Sequence, residues 1–160
     1  MCSSDLAVAQ LAERERIPFV AALGRPEDAL SISDQSVRVA RMAGTMHRAG
    51  VNHRDFYICH FLLHTDRPVT ADDLHLSLID LHRAQVRSAV PLRWRNKDLA
   101  ALYFSALDIG LTRRDKLRFL RTYFQRPLRD VLREEASLLA WLERKAAKLY
   151  ERKQRYGDAL

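Results

Sequence analysis

Two aspartates in this sequence have the surroundings that phosphoryl transfer requires. Asp55 closes the tripeptide His53-Arg54-Asp55, which leads into a short apolar segment, and Asp80 ends a second apolar segment. A carboxylate in the first position can accept a hydrogen bond from an attacking hydroxyl group. A carboxylate in the second can hold the Mg²⁺ ion that neutralises nucleotide phosphates. The pair therefore predicts Asp55 as a catalytic residue and Asp80 as a metal ligand.

The neighbours of Asp55 are of types that support a loop or bind a metal. His53 and Arg54 are expected to support the loop backbone, as in the His-Arg-Asp loops of kinases. His60 lies five residues past the aspartate, where such loops carry a metal-binding asparagine, so its imidazole is a tentative second metal ligand. Tyr57 stands where serine/threonine kinases carry a lysine, so that phosphate contact must come from elsewhere.

Asp55 and Asp80 also suit purely structural roles, because an aspartate in a loop or at a strand end is commonly a turn residue. The motif at Asp80 is Asp-Leu-His and lacks the glycine of the kinase Asp-Phe-Gly motif. A zinc site is a further alternative, on side chains whose spacings match no common zinc pattern: His47, His53, Cys59, His60 and His64. Outside a zinc site, His47 and His64 are expected to be exposed or partly buried.

Apolar spacing and helix start and stop residues predict the elements around these residues. An amphipathic helix is expected from an N-cap at Ser33 or Asp34 to about Ala49. Residues 61–63 and 74–78 are predicted to form the strands of a hairpin that delivers the second aspartate. The chain between this hairpin and the next helix is expected to be basic and irregular.

The C-terminal half is predicted to be helical. Asn96 can cap a helix over residues 97–108, and Thr112 and Asp115 form a capping box for the next helix. One last long helix is expected to start near Pro127, with apolar positions at helical spacing. The predicted fold class is mainly α (α+β), with a small β-hairpin among the helices.

The charge of the chain favours an anionic partner. The 160 residues carry a formal net charge of +7, which suits a nucleotide, a nucleic acid, a phosphosugar or an acidic lipid. Four arginines after the second aspartate suit an acceptor with carboxylate or phosphate groups, and an exposed basic loop is the alternative: Arg83, Arg87, Arg93 and Arg95. The basic face of the last helix is predicted to be solvated, or else to contact an anionic membrane surface.

The sequence shows no sign of secretion or of a membrane span. Cys2 and Cys59 are far apart and form no disulfide framework, which favours a reducing cytosolic compartment. No segment approaches the roughly 18–20 apolar residues of a membrane span, so membrane contact is expected to be peripheral. A non-catalytic basic module that binds nucleic acid or membrane is the alternative from another class. No nucleic-acid motif is evident, so nucleic acid is not expected as a partner.

Several longer motifs resemble one known family. The run from Ala43 to His64, with Asn-His-Arg-Asp followed by Cys-His-Phe-Leu-Leu, resembles the bacterial lipopolysaccharide core heptose(I) kinase family. The likeness runs from about Val37 to about Tyr156 and continues in three further segments: residues 78–85, 95–105 and 108–115. These strings are far more restrictive than His-Arg-Asp alone, and His60 and Asp-Leu-His look like the family's own pattern.

The resemblance implies an ATP-dependent sugar kinase of Gram-negative bacteria with a protein-kinase-like C-lobe. Such an enzyme phosphorylates the first heptose of the lipopolysaccharide inner core, with Mg²⁺, on the cytoplasmic face of the inner membrane. By the resemblance, Asp55 is the catalytic aspartate, Asp80 is the metal-binding one, and the inner-core glycolipid is the acceptor. A related group phosphorylates Kdo, the neighbouring core sugar, so a Kdo kinase stays open as an alternative, as does a kinase-like phosphotransferase with another acceptor.

The N-terminal part departs from a complete kinase. Such an enzyme also needs a β-lobe with a Gly-rich loop, a strand lysine and a helix glutamate. No Gly-rich loop precedes the catalytic loop, and the residues before Val37 contain no lysine. The expected division is a poorly matched segment, a foreign piece or a hinge remnant over residues 1–35, and an isolated C-lobe over residues 36–160. With its N-lobe missing, the chain is predicted to have little or no kinase activity alone.

Overall fold

The computed structural model of the chain describes residues 16–18, 31–65, 69–70 and 73–157. These residues form five α-helices and five short strands. In chain order they are β1 (Arg16–Pro18), α1 (Ile32–Arg48), β2 (Val51–Asn52), β3 (Phe61–His64), β4 (Leu76–Leu78), β5 (Gln85–Val86), α2 (Leu92–Ser105), α3 (Arg113–Phe124), α4 (Leu128–Glu134) and α5 (Ala136–Tyr156). The expected mainly helical class with small sheets is confirmed. Most of the segment 1–35 lies outside the described residues, so the expected division of the chain stays a prediction.

Helix α1 leads directly into the loop that carries Asp55, which we call the catalytic loop after the predicted role of Asp55. Ser31 caps its N-terminus, because the Ser31 Oγ accepts a hydrogen bond from the Asp34 N–H at 3.2 Å. The helix therefore begins earlier than a cap at Ser33 or Asp34 would allow. Gly50 follows its C-terminal end with a φ of +81°, where an added Cβ would lie 1.9 Å from the Arg87 carbonyl oxygen. Only glycine fits this left-handed, closely packed position.

Two small antiparallel sheets bring the two aspartate loops together. β3 lies between β1 and β4, with Leu63 opposite Leu76 in the hairpin. The predicted hairpin is thus confirmed, and β1 adds a third strand. β2 pairs with β5, with Asn52 opposite Gln85. This second pairing joins the start of the catalytic loop to the segment that follows Asp80.

Helix α2 begins earlier than the sequence pattern predicts. Pro91 occupies its N-cap position, and the Pro91 carbonyl oxygen accepts from the Trp94 and Arg95 N–H groups at 2.9 and 3.2 Å. Proline suits the start of a helix, because its φ is preset and it has no N–H that needs a partner. Asn96 accepts from the Arg95 side chain instead of capping the helix. Arg93 and Arg95 therefore lie on a helix and not in an irregular loop.

The remaining helices confirm one prediction and correct another. α3 begins with the predicted capping box, in which Thr112 and Asp115 each accept a hydrogen bond from the other's backbone N–H. The expected single last helix is two helices, separated at Glu135, whose ψ is 14°. Arg126 binds the carboxylates of Glu134 and Glu135 at 2.6 and 2.7 Å, which stabilises this break.

The apolar core lies between the helices and the hairpin. Phe56 and Phe61 are fully buried at 0% exposure and pack with Val39 of α1 and with apolar residues of α2 and α5. Burial of one such phenylalanine stabilises the fold by roughly 2–3 kcal/mol. α1 packs along α3, and α2 packs along α5. None of the described helices has both the length and the apolar character that crossing a membrane needs.

Candidate active site

The catalytic loop connects α1 to β3 and has an unusual backbone at its centre. Arg54 adopts a φ of +77°, a left-handed conformation that is costly for a residue other than glycine. Asn52 and His53 before this turn and Phe56 after it are 0% exposed. Strain of this kind persists only where the surrounding structure holds it, and it concentrates at functional sites.

The buried carboxylate of Asp98 holds this turn in place. Asp98 lies in α2, is 1% exposed, and accepts from the N–H groups of His53 at 2.7 Å and Arg54 at 2.9 Å. Charge-assisted bonds to two successive N–H groups fix the backbone that presents Asp55. The sequence motifs do not predict Asp98. One sequence signal could have indicated it: Asp98 directly precedes the apolar helical run Leu-Ala-Ala-Leu. A carboxylate that is buried with such a run needs hydrogen-bond partners.

A second set of buried hydrogen bonds supports Asp98 from α1 and α3. His47 Nε2 lies 3.2 Å from the Asp98 carboxylate, and His47 Nδ1 lies 2.7 Å from the Tyr123 hydroxyl. Burial raises the pKa of Tyr123 well above its usual value near 10. The phenol therefore keeps its proton and donates it to Nδ1, which leaves the Nε2 proton for Asp98. His47 is 7% exposed, so the expectation of an exposed or partly buried residue is wrong.

The carboxylate of Asp55 has one paired and one partnerless oxygen. Its Oδ1 accepts from Arg83 Nη1 at 2.7 Å. Its Oδ2 is buried and has no hydrogen-bond partner among the described residues. A buried carboxylate oxygen without a donor is unfavourable, so a hydroxyl group that donates to it would bind well. Orienting an acceptor hydroxyl, the predicted role of Asp55, needs such an oxygen.

Two histidines connect Asp80 to the catalytic loop. His53 Nε2 lies 3.0 Å from the Ile79 carbonyl oxygen, and His60 Nε2 lies 3.5 Å from Asp80 Oδ2. His60 Nδ1 lies 2.7 Å from the Asp55 carbonyl oxygen, so this nitrogen carries a proton and donates it. In the neutral ring the lone pair of Nε2 then faces Asp80. An imidazole oriented in this way by its other nitrogen is suited to metal ligation.

Asp80 and His60 fit a magnesium ion whose other ligands are water and substrate phosphates. Across the described part of the chain, no three His, Cys, Asp or Glu side chains form a metal-binding group. The zinc alternative is therefore not assembled there, and His64 instead bonds Ser77 Oγ at 2.7 Å. Mg²⁺ commonly uses one or two protein ligands together with water and substrate phosphates. Asp80, with His60 beside it, matches this smaller requirement.

Arg83 brings a cation to Asp55 from the 3₁₀ turn Leu81–Arg83 that follows the second aspartate. Tyr57, in the position of the kinase lysine, cannot provide one. Burial, with the Asp55 charge adding to it, raises the pKa of Tyr57 above its usual value, so the phenol stays neutral. The Arg83 side chain is 49% exposed and is therefore also accessible to a substrate.

The other three predicted arginines are engaged elsewhere in the described structure. Arg87 bonds Gln85 Oε1 at 2.7 Å, Arg93 lies over the Trp94 ring at 4.9 Å, and Arg95 pairs with Glu135 at 3.9 Å. Of the four arginines, Arg83 is therefore the one that contacts the carboxylate of Asp55. A role for the set in binding the acceptor stays a prediction.

An apolar cavity lies among α1, α2, α3 and α5, behind the catalytic loop. Its volume is about 270 Å³. Ile58 of the loop, Val39 of α1, Leu99 of α2 and Leu142 of α5 are among the residues that line it. Such a space can accept an aliphatic group but offers few partners to a polar one.

Comparison with known proteins gives a consistent result. The model of the lipopolysaccharide kinase (Kdo/WaaP) family matches residues 27–123. The chain is 84% identical over 122 residues to the lipopolysaccharide core heptose(I) kinase WaaP of Pseudomonas aeruginosa, and 56% identical over 115 residues to the Escherichia coli protein of that name. These matches cover 76% and 72% of this chain but 46% and 43% of the relatives. The chain thus spans about half the length of the curated relatives it matches.

A solved structure agrees with the sequence matches. WaaP in complex with acyl carrier protein superposes with a TM-score of 0.72 at 70% identity, over 82% of this chain and 55% of that one. The resemblance inferred from the motifs is confirmed, and the family match starts before the inferred beginning near Val37. The chain belongs to the lipopolysaccharide kinase (Kdo/WaaP) family.

Proposed function

We propose that this chain provides the acceptor side of an ATP-dependent kinase that phosphorylates the inner-core heptose of lipopolysaccharide. The observation that carries the proposal is the junction of the two aspartate loops at His60, which donates to the Asp55 carbonyl and faces Asp80 at 3.5 Å. Phosphoryl transfer needs a group for the acceptor hydroxyl and an anchor for Mg²⁺ next to each other. The heptose acceptor is the one named for the curated relatives.

In the proposed reaction Asp55 orients the acceptor and receives its proton. Arg83 occupies Oδ1, so the partnerless Oδ2 is the oxygen left for the acceptor hydroxyl. Asp98 keeps the loop backbone fixed while this hydrogen bond forms. A positioned base of this kind contributes about 10²–10⁴-fold to the rate.

Asp80 and His60 would hold Mg²⁺ on the other side of the reaction centre. Bound Mg²⁺ and ATP supply the phosphoryl group and the neutralisation of its charge. The two loops meet through His53 and Ile79 as well as through His60, so Asp80 lies next to the loop that carries Asp55.

Turnover in a chimera tests the proposal. In this chimera the matching 122 residues of the P. aeruginosa kinase are replaced by those of this chain. We expect ATP-dependent phosphorylation of the heptose-containing core, and a loss of about 10²–10⁴-fold in kcat on Asp55→Asn. Asp80→Asn should raise the Mg²⁺ concentration needed for activity. Glu151→Gln, an exposed change on α5 that also converts a carboxylate to an amide, should leave activity unchanged. Full activity of the Asp55→Asn chimera would contradict the proposal.

The 160-residue chain alone is proposed to be nearly inactive, because its sequence before the catalytic loop offers no Gly-rich loop or lysine for the ATP phosphates. Assays of the chain and the chimera at equal concentration compare the two directly. Turnover by the chain itself, abolished by Asp55→Asn, would overturn this part of the proposal and leave the kinase function standing.

The acceptor and its location can be tested with the same chimera. Core acceptors that end in Kdo or in the first heptose distinguish the two sugar substrates, and we propose that the heptose acceptor is used. We further propose peripheral attachment to the cytoplasmic face of the inner membrane, supported by the net charge of +7. Salt-sensitive sedimentation with phosphatidylglycerol vesicles, and not with phosphatidylcholine vesicles, is the expected result.

We also propose that the chain binds an acyl carrier protein, as the solved relative does. The supporting observation is the apolar cavity of about 270 Å³, which could accept the acyl chain that such a carrier presents. Ala106 directly follows α2, lines the cavity and is 5% exposed, so Ala106→Phe would fill the cavity. Ala147→Phe on the exposed side of α5 is the matched control. Equal binding of acylated and unacylated carrier, or no effect of Ala106→Phe, would count against a role of the cavity.

A further inference from the structure

Three cations surround one tryptophan beside the catalytic turn. The guanidinium carbons of Arg54 and Arg93 lie 5.1 and 4.9 Å from the centre of the Trp94 ring, and the Lys97 ammonium lies 4.5 Å from it. Because all three distances are measured to the same ring centre, any two of these charged groups lie at most about 10 Å apart. Charges at this spacing repel one another, because they lie within about one Debye length, roughly 10 Å at 0.1 M salt, where screening is only partial. We call Arg54, Arg93, Lys97 and Trp94 the basic cluster.

The basic cluster has no carboxylate partner in the described part of the chain. None of the ion pairs found there involves Arg54, Arg93 or Lys97. Asp98 is near in sequence, but it is 1% exposed and its oxygens already accept from backbone N–H groups of the loop. In addition, the Arg54 Nε is buried without a hydrogen-bond partner among the described residues.

The place of the cluster on α2 increases the local positive potential. Arg93 and Lys97 lie in the first two turns of this 14-residue helix, and no side chain caps its N-terminus. The free N–H groups and the dipole at such an end favour negative charge, so cations there are unfavourable without an anion. Stacking on Trp94 offsets part of this repulsion and holds the side chains in place.

We infer that the basic cluster binds a phosphate group carried by the acceptor. Three single positive charges match a doubly charged phosphate better than a singly charged carboxylate, and guanidinium groups bind phosphate oxygens in pairs. Arg54 directly precedes Asp55, so the basic cluster includes a side chain of the same loop that presents the carboxylate for the acceptor hydroxyl. The site would favour a core sugar acceptor that already carries a phosphate. Its assignment to the acceptor rests on the proposed function, whereas phosphate binding itself does not.

Phosphate titration of the 160-residue chain tests the site without catalysis. Indole ¹⁵N–¹H NMR signals of Trp94 and Trp141 would be followed as inorganic phosphate replaces chloride at constant ionic strength. We expect a saturable shift of the Trp94 signal and none of the Trp141 signal. Arg93→Gln and Lys97→Gln change exposed side chains and should each weaken phosphate binding by about tenfold.

Arg129→Gln on α4 is the matched control, because it removes one exposed positive charge outside the cluster. It should leave the phosphate affinity unchanged. A shift that does not saturate, or one that Arg129→Gln weakens as much as Arg93→Gln does, would overturn the site.

A second arm identifies the source of the phosphate. Water-soluble core oligosaccharide, intact or stripped of its phosphate groups, is titrated against the same chain. Tighter binding of the phosphorylated form, with the difference lost in Arg93→Gln and Lys97→Gln, supports the acceptor assignment. Equal binding of both forms by the unmodified chain would overturn that assignment even if inorganic phosphate binds. Turnover of the chimera decides the kinase function independently of either result.

Discussion

The loop that carries Asp55 and the loop that carries Asp80 lie side by side but are held in opposite ways. The first has its backbone N–H groups bonded to the buried Asp98 and is flanked by residues of 0% exposure. The second is exposed, with Ile79 and Leu81 at 37% and 51%. Its described links to the rest of the site are two hydrogen bonds at Ile79, the contact of Asp80 with His60 and the ion pair of the half-exposed Arg83 with Asp55.

The buried Asp55 loop and the exposed Asp80 loop match two different requirements of phosphoryl transfer. The group that orients the hydroxyl must be positioned accurately, and a buried charge-assisted network provides that accuracy. The metal ligand shares its ion with substrate phosphates, so it can take its final position when they bind. Segments with few buried contacts are also the least costly to rearrange. We therefore expect mutations in the first region to act on stability and mutations in the second to act on metal use.

The largest expected effect is that of Asp98→Ala. It removes the partner of two loop N–H groups and of His47, so the free energy of unfolding should fall by about 4 kcal/mol. Asp80→Ala should lower it by about 1 kcal/mol, because its carboxylate is exposed and the remaining cost comes from alanine in the left-handed backbone at this position. Urea denaturation measures both, with Asp130→Ala as a surface control. Similar losses for Asp98→Ala and Asp80→Ala would remove the distinction between the two loops.

Gly50→Ala tests how tightly the start of the catalytic loop is packed. The positive φ and the 1.9 Å approach to the Arg87 carbonyl oxygen should together cost about 3 kcal/mol of unfolding free energy. Gly110→Ala is the matched control, because its φ of +74° and ψ of 30° are also left-handed but the added Cβ would meet no atom of another part of the chain within 4 Å. It should cost about 1 kcal/mol. Equal costs would show that the contact with Arg87 is unimportant.

His60→Gln should change metal use more than stability. The substitution removes the imidazole nitrogen that faces Asp80, and we expect the Mg²⁺ concentration for half-maximal activity of the chimera to rise about tenfold. His82→Gln changes an exposed residue that contacts Asp80 from the other side, and it should have a smaller effect. If His82→Gln raised the Mg²⁺ requirement more than His60→Gln did, the metal would lie next to His82 and the proposed role of His60 would be wrong.

Tyr123→Phe should give the smallest change, about 1 kcal/mol of unfolding free energy near neutral pH, through loss of the bond to His47. Burial raises the folded-state pKa of Tyr123 above its usual value near 10. Its contribution is therefore complete below pH 10 and is lost as the pH rises above 10 toward the folded-state value. Denaturation curves should show the advantage of the unmodified chain shrinking above pH 10. Tyr156→Phe, at 63% exposure, is the control.

The parts of the structure that depend on near neighbours in sequence were predictable. The capping box at Thr112 and Asp115 joins partners three residues apart, and the hairpin pairs two strands that are consecutive along the chain, so a local pattern contains both halves of each interaction. The start of α2 was not predicted, because Pro91 and Asn96 both suit a helix start and the choice depends on packing. The break at Glu135 involves Arg126, which precedes the helix that was expected to continue.

By itself the sequence determined the family, the choice of Asp55 and Asp80 as the candidate pair for phosphoryl transfer, and the excess of positive charge. These properties reside in short runs of residues and in composition, which need no folded chain to be recognised. The tertiary structure decided what holds those residues. Asp98 reaches the catalytic turn from 45 and 44 positions away along the chain, and Arg83 reaches Asp55 from 28. Contacts at such separations form only when packing of the helices brings distant segments together, so no local pattern announces them.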